Sequence, residues 1–465
     1  MKAAPAVVVL GGGPAGAAAA LLLARWGHPV RLITRPASSR GLAVSLPPSC
    51  AKLFDAIGIS DLIERTGFPR STGNTVWWGG SDARIENFAS GAFGWQVDVD
   101  ALANVMLTAA ADAGVVVERS TLAGFDPSRN SIVLDCTGRS GVVARAKKLR
   151  EFVDGTRTVA LVGIWWHEGG WPVPDDSHTL VESYDDGWMW SVPSAPGLRH
   201  IAAMVDPQRS DLARDASSDD VYRAEIAKTN VFKALIEKAS MIEGPRGFDA
   251  SAYRATAYAG ERWLLVGDAG SFVDPLSSAG VKKALASAWL AAVAVNTAAA
   301  TPSMRAAAFD FFSGREAEIE RQMSRQSRQF LAGAAAAHDR PFWDERSDER
   351  SEEEDDTDQV RAALHDLKTR TLWQPRIGPA ISIEPKPLVR GNQIVLEPHL
   401  VGAGYPRGVR YLRGVDVVTL LQLAPTILQV PDLYENYVRA AGAVPLPDFL
   451  YAVAKAVARR WLVAE

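Results

Sequence analysis

The stretch AVVVLGGGPAGAAAALLLARWG at 6–27 constrains the fold more than any other part of this chain. Its first five residues are a short β-branched run that reads as a buried strand, and the Ala- and Leu-rich tail reads as a helix. Between them the spacing is Gly11-x-Gly13-x-x-Gly16, with Pro14 and Ala15 opening the helix. Each glycine has a physical reason. Gly11 allows a tight turn, Gly13 lets the backbone approach a pyrophosphate, and Gly16 lets the helix pack closely on the strand. The helix N-terminus then offers free N–H groups and a positive dipole end to phosphates. Glycine-rich turns also serve as plain punctuation, but the strand–turn–helix context favours a dinucleotide site in a parallel α/β sheet.

In such a sheet the second strand ends in an acidic residue that binds the ribose hydroxyls. Here HPVRLITRP (28–36) places Thr34 at that point, followed by Arg35. A threonine hydroxyl still hydrogen-bonds a ribose, without assistance from charge. The same logic recurs at RWLLVGDAGSFVDPLSSAGVKKALASAWLAA (262–292), where a strand ends in Gly267-Asp268, passes Pro275 and Gly280, and enters an Ala-rich helix. Asp268 suits a ribityl hydroxyl, and the glycine loop suits a flavin ring edge. An ordinary strand–loop–helix corner capped by Asp268 explains the segment equally well when it is taken alone.

Together these segments resemble the class A flavin monooxygenases and the flavin-dependent halogenases. In that group GxGxxG holds the ADP part of FAD, and GDA…P…G holds the ribityl chain and isoalloxazine. SIVLDCTGRSGVVAR (131–145) resembles the group's D-A-T-G-R segment through Asp135, Thr137, Gly138 and Arg139, with Cys136 in place of alanine. SLPPSCAKLFDAIGI (45–59) is similar to a further stretch, although Val44 stands where many members carry Glu. The resemblance covers about residues 5–335. It implies an α/β chain: a Rossmann-like FAD-binding fold with an inserted antiparallel-sheet substrate domain. The implied cofactor is FAD, with NADH or NADPH as electron donor, although no separate nicotinamide fingerprint is visible.

The reaction is read from two further segments. Trp188-Met189-Trp190-Ser191-Val192-Pro193 fits the W-x-W-x-[IV]-P signature of halogenases in this group. On a strand, residues two apart share a face, so both indoles line one side and Met189 the other. Halogenases also resemble one another in a lysine within GF..K.GATF.WG, and GFPRSTGNTVWWGG (67–80) carries Ser71 at that place, with Arg70 adjacent. A guanidinium does not replace a reactive amine. The resemblance therefore implies hydroxylation of an electron-rich aromatic ring through a flavin C4a-hydroperoxide. Halogenation is the alternative, and a flavin-containing assembly factor without turnover is a third reading. His167, beside Glu168 in GIWWHEGGWPVP, is the candidate base, although a satisfied structural histidine is the commoner case. Trp77, Trp166, Trp188 and Trp190 are the candidate walls of a substrate channel.

At 465 residues the chain exceeds one ordinary core, since about 100–200 residues make a domain. The expected division is 1–150 with 245–340 for FAD, 151–244 with parts of 70–97 for substrate, an acidic linker at 341–360, and a small domain at 361–465. That last part shows two β-like runs about Arg390-Gly391-Asn392 and then helical patterns, an α+β order similar to winged-helix appendages. A net charge of −4 argues against nucleic acid. Two cysteines, Cys50 and Cys136, argue against a disulfide framework and for a cytoplasmic setting. No uninterrupted apolar run reaches the roughly 18–20 residues of a membrane span. The layout is similar to monooxygenases that act on tryptophan within a protein during tryptophylquinone cofactor biogenesis. It implies a protein or peptide substrate docking through the C-terminal domain.

Overall fold

The computed structural model describes residues 7–35, 41–120, 131–153, 155, 157–210, 212, 216–277, 279–346, 357–369 and 372–464. The chain divides into two compact units, Met1–Ser351 and Glu352–Glu465.

The first unit is organised by a parallel sheet in the order Trp263–Leu265, Ile132–Asp135, Val7–Leu10, Val30–Thr34, Val116–Arg119, with Ala259–Gly260 antiparallel on one edge. Every residue of Val7–Leu10 and Ile132–Asp135 is buried, as a sheet covered on both faces requires. Helix Pro14–Arg25 packs against both Val99–Asp112 and Gly280–Ala300, and its small side chains, Ala17–Ala20, allow that close approach. Helix Gly280–Ala300 is long and apolar enough, by composition, to cross a bilayer, yet most of it is buried inside this unit.

The second layer is a seven-stranded sheet: Ala239–Asp249, Val159–His167, Leu198–Val205, Gly187–Ala195, Thr179–Tyr184, Gly73–Trp77, Arg84–Asn87. It is antiparallel except where Thr179–Tyr184 runs beside Gly73–Trp77. Its strands alternate between two cores. Leu161, Met189, Ile201 and Ala203 pack with Val221, Tyr222 and Phe232, from the helices Ser218–Ala227 and Val231–Leu235. Val162, Trp188, Ala202 and Met204 pack with Leu331, Phe342 and Trp343 on the other side. Trp343 donates its indole N–H to the carbonyl of Tyr184 at 3.0 Å. The expected linker at 341–360 is therefore corrected at its start: Phe342 and Trp343 are core residues, because two large aromatics fill a slot under the sheet. Most of the acidic run, 347–356, lies outside the described residues.

In the second unit, strands Ile381–Arg390 and Gln393–Gly402 form a hairpin whose two-residue loop is Gly391-Asn392, with Gly391 at φ +58°. Strand Tyr405–Val409 adds a third member. Helices Thr357–Thr369, Val417–Leu423, Val430–Ala441 and Leu446–Ala458 close a core containing Trp373, Leu420, Tyr437, Phe449 and Trp461.

Candidate active site

A cavity of about 560 Å³ lies at the carboxyl ends of the central parallel strands, where doubly wound folds bind ligands. Gly11, Gly13, Pro14, Ala15, Thr34, Arg35, Asp268 and Gly280 all line it. Gly16 lies beneath: a Cβ there would fall on the carbonyl oxygen of Gly11. Gly11 itself has φ +97°, and a side chain on it would meet the Cys136 carbonyl. At Gly13 the situation is opposite. A Cβ there meets nothing within 4 Å, so the space in front of it is open to a ligand. Gly13 is also the N-cap of helix Pro14–Arg25 and supplies no side-chain cap, which leaves the first-turn N–H groups for an anion. These features fit the diphosphate of FAD. Beside Thr34 and Arg35, further polar side chains reach this cavity: Asp100 and Asn104 on helix Val99–Asp112, and Arg119 at the end of its strand. No local signal marks them in the sequence.

A second, apolar chamber of about 340 Å³ adjoins the first, sharing Val99, Asp268, Gly280 and Val281. Trp188, Trp190 and Val192 form part of its wall, with Val162, Met204 and Phe272, and Pro275 belongs to its floor. Met189 faces the opposite core, so the period-two reading of the tryptophan pair holds. Trp188 is fully enclosed and meets Trp78 edge-on at 6.5 Å, and Trp78 meets Trp343 at 5.4 Å. Neither indole N–H of the pair reaches a protein acceptor.

Lys283 is the group that sequence reasoning missed. It stands in the first turn of Gly280–Ala300, lines the chamber and is almost wholly buried. Its ammonium lies 3.2 Å from Asp268 Oδ1 and donates to the Ser271 carbonyl. A buried cation near a helix N-terminus is unfavourable unless paired, and Asp268 is that pair. Glu316, on the neighbouring helix Arg305–Ala335, is also buried. Burial pushes its carboxyl up to about 7, against the opposing pull of Lys283.

Three expected residues are placed elsewhere. His167 ends its strand, holds Nδ1 2.8 Å from the Glu168 carbonyl, and packs on Trp171; it lines neither cavity. Trp166 is exposed at the end of the same strand, beyond the cover of the chamber. Trp77 packs with the core on the sheet's far side. The base and two of the four walls expected from sequence are therefore corrected. Ser71 is buried in the short strand Arg70–Ser71, its hydroxyl donating to Gly73 O. Asp135 closes its own turn, accepting from Thr137 N, Thr137 Oγ1 and Val143 N.

Residues 5–126 match the FAD binding domain family. Tryptophan 2-halogenase of Chondromyces crocatus is 27% identical over 341 residues, 67% of this chain and 65% of that protein. The chain thus spans just under two thirds of that relative's length. Among solved structures, the flavin-dependent halogenase CmlS has a TM-score of 0.81 at 20% identity, covering 100% of this chain and 96% of CmlS. The peptidyl tryptophan dihydroxylase QhpG, essential for tryptophylquinone cofactor biogenesis, has a TM-score of 0.68 at 21% identity, covering 95% of this chain and 100% of QhpG.

Proposed function

We propose that this chain, which is similar to flavin-dependent halogenases in sequence and carries a match to the FAD binding domain family, is an FAD-dependent monooxygenase that hydroxylates an electron-rich aromatic ring. The observation that carries the reading is the junction of the two cavities. A flat ring between Trp188 and Trp190 would reach the dinucleotide cavity at Asp268, Gly280 and Val281. Bound and reduced by NADH or NADPH, the flavin would supply the electrophilic oxygen from O2. The protein's part is positioning and the exclusion of water. The open backbone at Gly13 and the uncapped helix end would hold the diphosphate. Lys283 fixes the Asp268 carboxylate at the ribityl end. The apolar wall keeps water from the ring.

Ser71 supports oxygen transfer, since no amine stands at the place of the halogenase lysine. Halogenation is the second reading, and two observations favour it: the curated relatives are mostly halogenases, and Lys283 brings a different amine to the chamber. The likeness to QhpG supports a peptidyl tryptophan as the substrate, presented by a partner protein that the second unit recognises. Incubating the holoprotein with NADH, O2 and indoles or tryptophan peptides, with and without bromide, separates these readings by product mass. Halide-independent gain of one or two oxygens is expected. Halide-dependent substitution would replace hydroxylation with halogenation, and a reduced flavin that reoxidises without any product would end both.

A further inference from the structure

Next to the apolar chamber the first unit carries a broad, shallow cavity of about 720 Å³ whose charge is almost entirely of one sign. Arg139, Arg145, Lys148 and Arg150 line it against a single carboxylate, Asp249. That carboxylate is already taken by Arg139, at 2.7 Å. Arg150 lies on the face of Tyr253, 3.9 Å from the ring centre. Among the described residues its Nε and one terminal nitrogen are buried without a hydrogen-bond partner, as is Nη1 of Arg139. Burial and the neighbouring charges of Arg139 and Arg145 push the Arg150 guanidinium below its ordinary value. Unmet buried donors on a cation are costly. A cluster of that sort is stable in the company of an anion, and guanidinium forks match carboxylate and phosphate oxygens.

The position of this cluster says what carries the anion. Arg139 and Asp249 line both the basic cavity and the apolar chamber, and Arg139 also covers the ring of Phe272, a chamber wall, at 4.7 Å. A ligand with its ring in the chamber therefore has its polar end beside Arg139. We propose that the Arg139–Arg145–Lys148–Arg150 vestibule binds the carboxylate or phosphate of an aromatic substrate whose ring occupies the chamber, so that the preferred substrate class is the acidic aromatic. This rests on the reading of the chamber as the aromatic site.

The test titrates the FAD-loaded protein with matched rings: 3-methylindole against indole-3-acetate, and 4-cresol against 4-hydroxyphenylacetate. The acids should bind about tenfold tighter or more, a preference that shrinks as salt rises. Arg150→Gln, and separately the exposed Lys148→Gln, should cut that preference about tenfold, with flavin content, melting temperature and neutral-ring affinity unchanged. Lys148→Gln keeps the test open should Arg150→Gln fold poorly. Neutral rings that bind as tightly as their acids overturn the vestibule and leave the aromatic chamber standing. Failure of all four rings overturns the chamber reading and the vestibule with it. Ser140 lines both this cavity and the dinucleotide cavity, so inorganic pyrophosphate and NADH form a second arm. If the variants weaken pyrophosphate binding and slow flavin reduction by NADH while acids keep their advantage, the site belongs to the reductant and the proposal falls.

Discussion

The two adjoining cavities are built from different material. The dinucleotide cavity has a backbone cradle at its heart, the glycine turn and helix end of Gly11–Ala15, with side chains such as Asp100, Asn104, Arg119 and Asp268 added around it from other segments. The apolar chamber is mostly side chain, gathered from strands and helices as far apart as Leu42 and Met323. A backbone site fails when a side chain is added. A side-chain site fails when one is removed.

Substitution of glycine should split the backbone cavity into fold and function. Gly16→Val places a branched side chain on the Gly11 carbonyl and should leave little folded protein, seen as loss of the cooperative melt. Gly13→Val has room within the protein, so the fold should survive while FAD affinity falls about a hundredfold or more, a loss of some 3 kcal/mol. A flavin-replete Gly13→Val protein would show that the cradle is not the binding site. In the side-chain chamber, Trp188→Ala should cost about 3–5 kcal/mol of stability by denaturant titration, because Trp188 is fully enclosed. A loss under about 1 kcal/mol would mean that the wall is loosely packed.

Glu316 tests the buried charge network around Lys283. A carboxyl that holds its proton more tightly when folded stabilises the native state at low pH, so stability falls as pH climbs from about 4.5 to about 7. The fall should reach about 3 kcal/mol, and Glu316→Gln should abolish it. Unchanged pH dependence in the variant would remove Glu316 from the Lys283 network. The smallest effect belongs outside both cavities: His167→Ala should shift stability by no more than about 0.5 kcal/mol and leave turnover intact. A hundredfold drop in turnover would return His167 to the reaction.

Legibility in the sequence followed the same division. The glycine spacing is local, so Gly11, Gly13 and Gly16 declared strand, turn, helix and phosphate cradle together. The Trp188–Trp190 pair was legible because strand parity is local too. Parity did not tell which face of the sheet met the flavin domain, and Trp77, on the far side, was assigned to the wrong one. His167 stood next to tryptophans in sequence, but its strand runs past the chamber before reaching it. Lys283 read as one more residue of an Ala-rich helix until burial set its ammonium on Asp268, and Arg139, visible within the D-A-T-G-R segment, gave no sign of its partner Asp249, because residues 139 and 249 meet only in the fold.

The strand Gly187–Ala195 has a consequence for how the chamber can be reshaped. Its even positions, Trp188, Trp190 and Val192, face the chamber, while Met189 holds the opposite core and Ser191 is sealed within the sheet. New specificities are thus reachable by substitution at every second residue, with the odd positions acting as an anchor. A one-residue insertion in this strand would do what no point change does, exchanging wall for anchor at every position beyond it. Diversification along this strand is therefore confined to substitutions, and changes of length are left to the turns at its ends.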